Sequence, residues 1–154
     1  MTVSPGDSPD ALVYDLLVVT GPESHSSTLL REERRIKDVH ELNETLAALE
    51  TRPLFVVLLT KVLIEGPEES DWGTFFLSVA AARAYIHLMD GCCFIARDPA
   101  SPSEPQATTQ VMLDNGEFTE VPHRNTIRRD DGVAAMRYWV GSGEQLPRLD
   151  WGPG

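Results

Sequence analysis

The sequence predicts a single α+β domain in which an antiparallel β-meander sheet packs against two helices. Two turn dipeptides, Asp90-Gly91 and Asn115-Gly116, each separate two short strand-like runs, which is the pattern of a β-hairpin. Two further segments carry apolar residues at helical spacing, one before these hairpins and one after them. The chain of 154 residues is long enough to bury one core without disulfides or metal ions.

The amino-terminal part begins with Met1 to Asp10, which is rich in proline, glycine and acidic residues. We expect a loose tail there, followed by one domain over residues 11–154. Leu12 to Val19 is rich in leucine and valine and is predicted to form a strand. Thr28 to Lys37 fits either a strand or the start of a helix, and we favour a strand.

The first helix is predicted over Asp38 to Glu50, where Asp38 can act as the N-cap. Its expected apolar stripe consists of Val39, Leu42, Leu46 and Leu49. The second helix is predicted over Arg129 to Val140, with Gly141 and Gly143 expected to end it. Its expected stripe consists of Val133, Met136 and Val140, and Trp139 of the same helix is also expected to lie in the core.

The remaining strands are predicted from apolar and β-branched runs bounded by turn residues. They are Leu54–Leu59, Thr74–Val79, Ala82–Met89, Cys92–Arg97, Thr108–Leu113 and Glu117–Val121. Between the first two of these strands, Glu65 to Gly73 is predicted to be a loop.

The charge of the chain limits the kinds of partner that we expect. With 24 acidic against 13 basic residues, the formal net charge is −11. This balance argues against binding to nucleic acid or to an anionic membrane surface and favours a basic protein partner. No apolar run is long enough to span a bilayer and Met1 to Asp10 does not resemble a secretory signal, so we expect a cytoplasmic protein.

Catalytic and metal-binding patterns are missing from the sequence. The histidines lack the spacing of a metal site, and no nucleophile elbow or phosphate-binding glycine loop is present. The adjacent Cys92 and Cys93 fall in an apolar strand, so we expect them to be buried filler rather than a disulfide or a nucleophile. We therefore expect no enzyme activity, no cofactor and no metal.

One acidic segment stands out as a candidate for binding a protein partner. It contains Glu65, Glu68, Glu69 and Asp71, followed by Trp72. Carboxylates can receive charge-assisted hydrogen bonds from arginine and lysine, and an exposed tryptophan can act as an anchor. The alternatives are that these carboxylates simply face solvent, or that binding uses a second acidic set. That set consists of Asp98, Glu104, Asp114 and Glu117.

Three stretches resemble a family of bacterial immunity proteins that guard polymorphic toxin systems and often neighbour deaminase toxins. Ala82 to Gly91 is similar to the family's strand and Asp/Gly turn, and Val111 to Phe118 to its second hairpin. Gly132 to Trp151 is similar to its terminal helix, which is followed by a Gly-x-x-x-x-Pro segment and a short strand ending in tryptophan. Gly143 to Pro147 stands in for that segment here as Gly-Glu-Gln-Leu-Pro. The Leu12 to Lys37 segment and the Tyr138-Trp139-Val140 helix end depart from the family pattern.

This resemblance implies an immunity protein that neutralises a cognate, basic, nucleic-acid-targeting toxin by stoichiometric inhibition. Such a protein is one half of a toxin–antitoxin pair and acts in the cytoplasm without turnover. Two other functions fit a small acidic α+β domain. One is a ligand-binding or enzymatic domain, and the other is an acidic secretion chaperone.

Overall fold

The computed structural model describes residues 11–21, 29–99 and 107–153. Its strands are β1 Ala11–Thr20, β2 Leu30–Ile36, β3 Leu54–Glu65, β4 Glu68–Ala80, β5 Arg83–Asp90, β6 Cys92–Arg97, β7 Thr108–Met112, β8 Phe118–Pro122, β9 Ile127–Arg128 and β10 Asp150–Pro153. Its helices are α1 Val39–Leu49 and α2 Arg129–Ser142, with a 3₁₀ turn at His123–Asn125. The predicted α+β class is confirmed, whereas the predicted tail Met1 to Asp10 lies outside the described residues.

The main sheet is antiparallel and has the strand order β10-β6-β5-β4-β3-β1-β2, with the short β9 paired to β5. The predicted meander therefore holds from β3 to β6. Strand β1 pairs with both β2 and β3, so the chain passes from β2 through α1 to β3 across it. The segment that departs from the immunity-family pattern thus supplies two strands of the sheet.

One face of the main sheet, here called the helix face, is covered by α1 and α2. On this face, residues that lie opposite one another on neighbouring strands form apolar rows. One such row consists of Val18, Val57, Leu77 and Ile86. Trp139 of α2 is fully buried and lies with its ring centroid 5.5 Å from that of Phe75. The prediction that Trp139 belongs to the core is confirmed.

The two predicted helices are confirmed, with small differences at their ends. Asp38 caps α1 by accepting a hydrogen bond from the backbone N–H of His40 at 3.0 Å. Val39 is 39% exposed, contrary to prediction, because it is the first residue of α1 and lies at the end of the buried stripe. Gly143 alone ends α2, at φ +75°, whereas Gly141 lies inside the helix.

The opposite face of the main sheet, here called the hairpin face, is covered at one end by the separate hairpin β7–β8. Both predicted turn dipeptides join strands, and Gly91 and Gly116 have φ angles of +77° and +85°. The hairpin buries Met112 over Leu17, Val56 and Phe76 of the sheet. The half of this face beyond the hairpin carries the features described next.

Candidate partner-binding surface

The acidic segment singled out from the sequence lies at the end of a long hairpin, not in a loop. Glu65 is the last residue of β3, and β4 begins at Glu68, so only Gly66 and Pro67 form the turn. The predicted loop was wrong because polar side chains on both faces of a protruding hairpin give no alternation of apolar and polar residues. We call Glu65, Glu68, Glu69 and Asp71 the acidic tip, and all four are exposed.

Trp72 follows the acidic tip and is 59% exposed. It stands at a β-bulge, where the register of β3 with β4 shifts between Thr60 and Val62. The next residue, Gly73, has φ +125°, and a Cβ there would lie 3.0 Å from the Trp139 ring. Close contact with the core therefore fixes the bulge, and the bulge places Trp72 at the surface.

A cleft of about 550 Å³ lies between Trp72 and the β5–β6 turn. Its lining includes Met89, which is 41% exposed, and Cys92 and Cys93. Both cysteines are exposed free thiols, so the prediction that they are buried filler was wrong. They stand at the start of β6, where Cys93 is the registered neighbour of the exposed Met89, and neither cysteine belongs to the core under the helices or to that under the β7–β8 hairpin.

Two cations near the acidic tip are held by specific partners. Arg35 donates to Asp15 at 2.7 Å and to Glu69 at 2.8 Å, and these bonds lower the pKa of both carboxyl groups. Lys61 points inward, donates to the backbone carbonyl of Trp139 at 2.9 Å and lies 4.0 Å from the centre of that ring. Burial lowers the pKa of Lys61.

Three carboxylates of the acidic tip remain without such a cation. Within residues 11–21, 29–99 and 107–153, Glu65, Glu68 and Asp71 form no ion pair. The tip therefore presents uncompensated negative charge beside an exposed aromatic ring.

Arginines at the other end of the sheet are used inside the fold. Arg129 donates to the carbonyls of Glu50, Arg52 and Ala81 and thereby ties the end of α1 to the β4–β5 turn. Arg83 donates to the carbonyl of Thr126 at 2.8 Å. Because successive turns of an antiparallel sheet alternate between its ends, these arginines lie away from the acidic tip.

The second acidic set that the sequence offered is not brought together. Asp98 follows the end of β6, whereas Asp114 and Glu117 lie at the turn of the β7–β8 hairpin. The base of that hairpin, not its turn, adjoins the 3₁₀ turn beside β6. Glu104 lies outside the described residues.

In the described residues, one contact has the composition of a nucleophile beside a base. Thr109 Oγ1 lies 2.6 Å from His123 Nδ1. Together with the backbone bond from His123 N–H to the Ala107 carbonyl, it fixes the base of the β7–β8 hairpin. In the described part of the chain, no three His, Cys, Asp or Glu side chains are grouped to hold a metal ion.

Neither described helix is long and apolar enough to cross a membrane. Comparison of the sequence with protein-family profiles found no match, and comparison with curated proteins found none either. The features of this chain that point to a function are therefore the geometry of this surface and the three stretches that resemble immunity proteins.

Proposed function

We propose that this protein is a cytoplasmic immunity protein, which binds a basic bacterial toxin and neutralises it as a stoichiometric inhibitor. The proposed partner surface is the acidic tip together with Trp72. The observation that carries the proposal is the exposure of Trp72, at 59%, beside three carboxylates of the acidic tip that form no ion pair within the described chain. They are those of Glu65, Glu68 and Asp71.

The chemistry of this surface suits a protein that binds polyanions. Such a protein presents arginine and lysine, which donate charge-assisted hydrogen bonds to carboxylates. An exposed tryptophan supplies a large apolar contact, the usual centre of an interface hot spot. Gly73, the bulge residue next to Trp72, lies against the Trp139 ring in the core. This contact fixes the position of Trp72 on the sheet.

Protection from a toxin tests the proposal directly. The protein is expressed in bacteria together with the toxic domain encoded beside its own gene, and survival is measured. We expect survival and a 1:1 complex of the two purified chains. Absence of both protection and complex formation would rule out the immunity function.

Matched variants test whether the acidic tip is the surface used. The triple change Glu65→Gln, Glu68→Gln and Asp71→Asn removes three charges but keeps Glu69, which is bonded to Arg35. The control changes Glu41, Glu44 and Glu144 to Gln, which removes the same charge from exposed positions outside the hairpin. We expect the first variant, and not the control, to weaken the complex.

Trp72→Ala isolates the aromatic anchor without changing the charge. Truncation of a hot-spot tryptophan costs about 2 kcal/mol or more, so affinity should fall roughly 30-fold. Because Trp72 is largely exposed, the thermal midpoint should stay near that of the parent. Full affinity in both this variant and the tip variant would place the interface elsewhere.

A further inference from the structure

The hairpin face carries one row of residues that crosses six strands. Each member is the registered neighbour of the next, from β2 through β1, β3, β4 and β5 to β6. The row consists of Arg35, Asp15, Thr60, Thr74, Met89 and Cys93. We call these six residues the transverse row.

Side-chain contacts along the row show that its members share one face. Arg35 bonds to Asp15 at 2.7 Å, and the hydroxyls of Thr60 and Thr74 lie 3.2 Å apart. The polar character of this row contrasts with the apolar rows on the helix face, where Leu59 and Phe75 are fully buried.

The transverse row stays open because the β7–β8 hairpin covers other rows. The hairpin buries Met112 against Val19, Val56 and Phe76, which lie further along the strands. Its turn is held beside β2 by a hydrogen bond from Arg31 to the carbonyl of Asp114, at 3.1 Å. The hairpin therefore forms a wall beside the row rather than a cover over it.

Two clefts lie at the two ends of this row. One, of about 520 Å³, includes Asp15 and Thr60 in its lining, and the cleft of about 550 Å³ includes Thr74, Met89 and Cys93. Six strands at a spacing of about 4.8 Å make the row roughly 24 Å long, and we call the row together with its two clefts the trough. That length matches about seven residues of extended chain.

The charge of the trough favours a cationic occupant. Glu33 and Asp114 line the first cleft, and Asp71 lines the second. Three arginines lie in this region. Arg35 is bonded to Asp15 and Glu69, and Arg31 to the Glu33 carboxylate and to the backbone carbonyl of Asp114. Arg34, which also lines the first cleft, is bonded to Thr45 and paired with Glu41 of α1. Carboxylates therefore outnumber cations, and the threonine hydroxyls between the clefts can bond to a peptide backbone.

We infer that this trough binds an extended, arginine- or lysine-rich segment of the partner protein, with Trp72 packing at one end. The inference rests on the proposed function for the identity of the partner, but not for the chemistry of the trough. It extends the partner surface from the acidic tip across the hairpin face to β2.

A peptide titration tests the trough without the partner. The probe is a fluorescently labelled peptide of four Arg-Ala repeats, and its control replaces each arginine by citrulline. Thr74→Trp fills the middle of the row without changing charge, and the pair Glu33→Gln and Asp71→Asn removes one charge at each end. The pair Glu41→Gln and Glu44→Gln removes equal charge from α1, on the other side of the sheet.

We expect both trough variants to bind the arginine peptide at least tenfold more weakly than the parent, and the α1 control to bind it within twofold. The citrulline peptide should not bind. Equal weakening by the α1 control would overturn the inference in favour of unspecific charge attraction. Parent-like binding by the exposed charge pair would overturn it even if Thr74→Trp failed to fold.

The outcome for the trough can be separated from that for the function. Trough variants that lose the peptide but keep full affinity for the toxin would overturn the inference and leave the immunity function standing. A parent that binds the peptide in the trough but gives no protection would overturn the function alone. Self-association of the parent that Thr74→Trp abolishes would assign the trough to a second copy and overturn the inference.

Discussion

Arg35 is the residue whose role is best defined by its contacts. It joins Asp15 of β1 to Glu69 of β4 across the hairpin face, and it lowers the pKa of both carboxyl groups from their ordinary values of 3.8 and 4.5. A carboxyl group whose pKa is lowered by folding stabilises the fold above its unfolded pKa and loses that contribution as the pH falls through its folded pKa. Arg35 therefore links stability to pH in the acid range.

Arg35→Met should reduce the free energy of unfolding at pH 7 and remove this pH dependence. The parent should lose stability progressively below about pH 4.5, whereas the variant should change less over the same range. Urea unfolding of both proteins between pH 3 and pH 7 measures the difference. If the free energies of unfolding of the parent and the variant differ by as much at pH 3 as at pH 7, Arg35 acts through packing alone.

Single residues also show where sequence reasoning succeeded and where it failed. The capping role of Asp38 and the burial of Trp139 follow from local patterns, and both were predicted. The exposure of Cys92 and Cys93 was not, because apolar composition does not reveal which part of each sheet face the helices and the β7–β8 hairpin cover. The tie from Arg129 to three carbonyls was also missed, since its acceptors lie far away in sequence.

At the scale of elements, the β7–β8 hairpin depends on the conformation of one glycine. Gly116 has φ +85°, a conformation that residues with a Cβ rarely adopt, and a Cβ there would also displace the end of the Leu29 side chain. Its N–H donates to the Leu113 carbonyl at 2.9 Å, and Asn115 accepts a bond from Glu117 N–H at 2.9 Å. The turn therefore fixes the wall of the trough.

Gly116→Val should lower the free energy of unfolding by about 1–2 kcal/mol or more, because a β-branched residue resists positive φ. Gly141→Ala is the opposite control, since Gly141 lies within α2 with open space around it. That change should raise the free energy of unfolding by roughly 0.5–1 kcal/mol. Urea denaturation measures both, and a neutral Gly116→Val would show that the turn relaxes without cost.

Elements with a local signature were predicted well, and those defined by pairing were not. The turns at Gly91 and Gly116 and the stripe Leu42, Leu46 and Leu49 can be read from neighbouring residues. The hairpin ends at Glu65 and Glu68 were missed because both faces there are polar. The transverse row could not be predicted, since it requires the register of five strand pairs at once.

Over the whole molecule the formal net charge is −11, and the acidic tip contributes to it while arginines near the β4–β5 turn are bonded internally. If the partner is basic, its association should be accelerated by this field and slowed by salt. We expect the on-rate to fall about tenfold or more between low and high ionic strength, with little change in the off-rate. Stopped-flow measurements at a series of salt concentrations provide the test.

The variant Glu65→Gln, Glu68→Gln and Asp71→Asn should show a shallower salt dependence of the on-rate than the parent. The control with Glu41, Glu44 and Glu144 changed to Gln should keep a slope closer to that of the parent. An on-rate that is unaffected by salt in the parent would mean that the acidity serves solubility only.

The position of α2 in the chain determines when the core can form. This helix packs closely on β4 and β5, where Gly132 lies against Ala84 and Leu77, and it follows seven of the eight strands of the main sheet in sequence. During synthesis those strands emerge first, with the apolar face around Leu77 and Ile86 still uncovered. The helix face therefore cannot be buried strand by strand, and a stable native state must wait until α2 has left the ribosome.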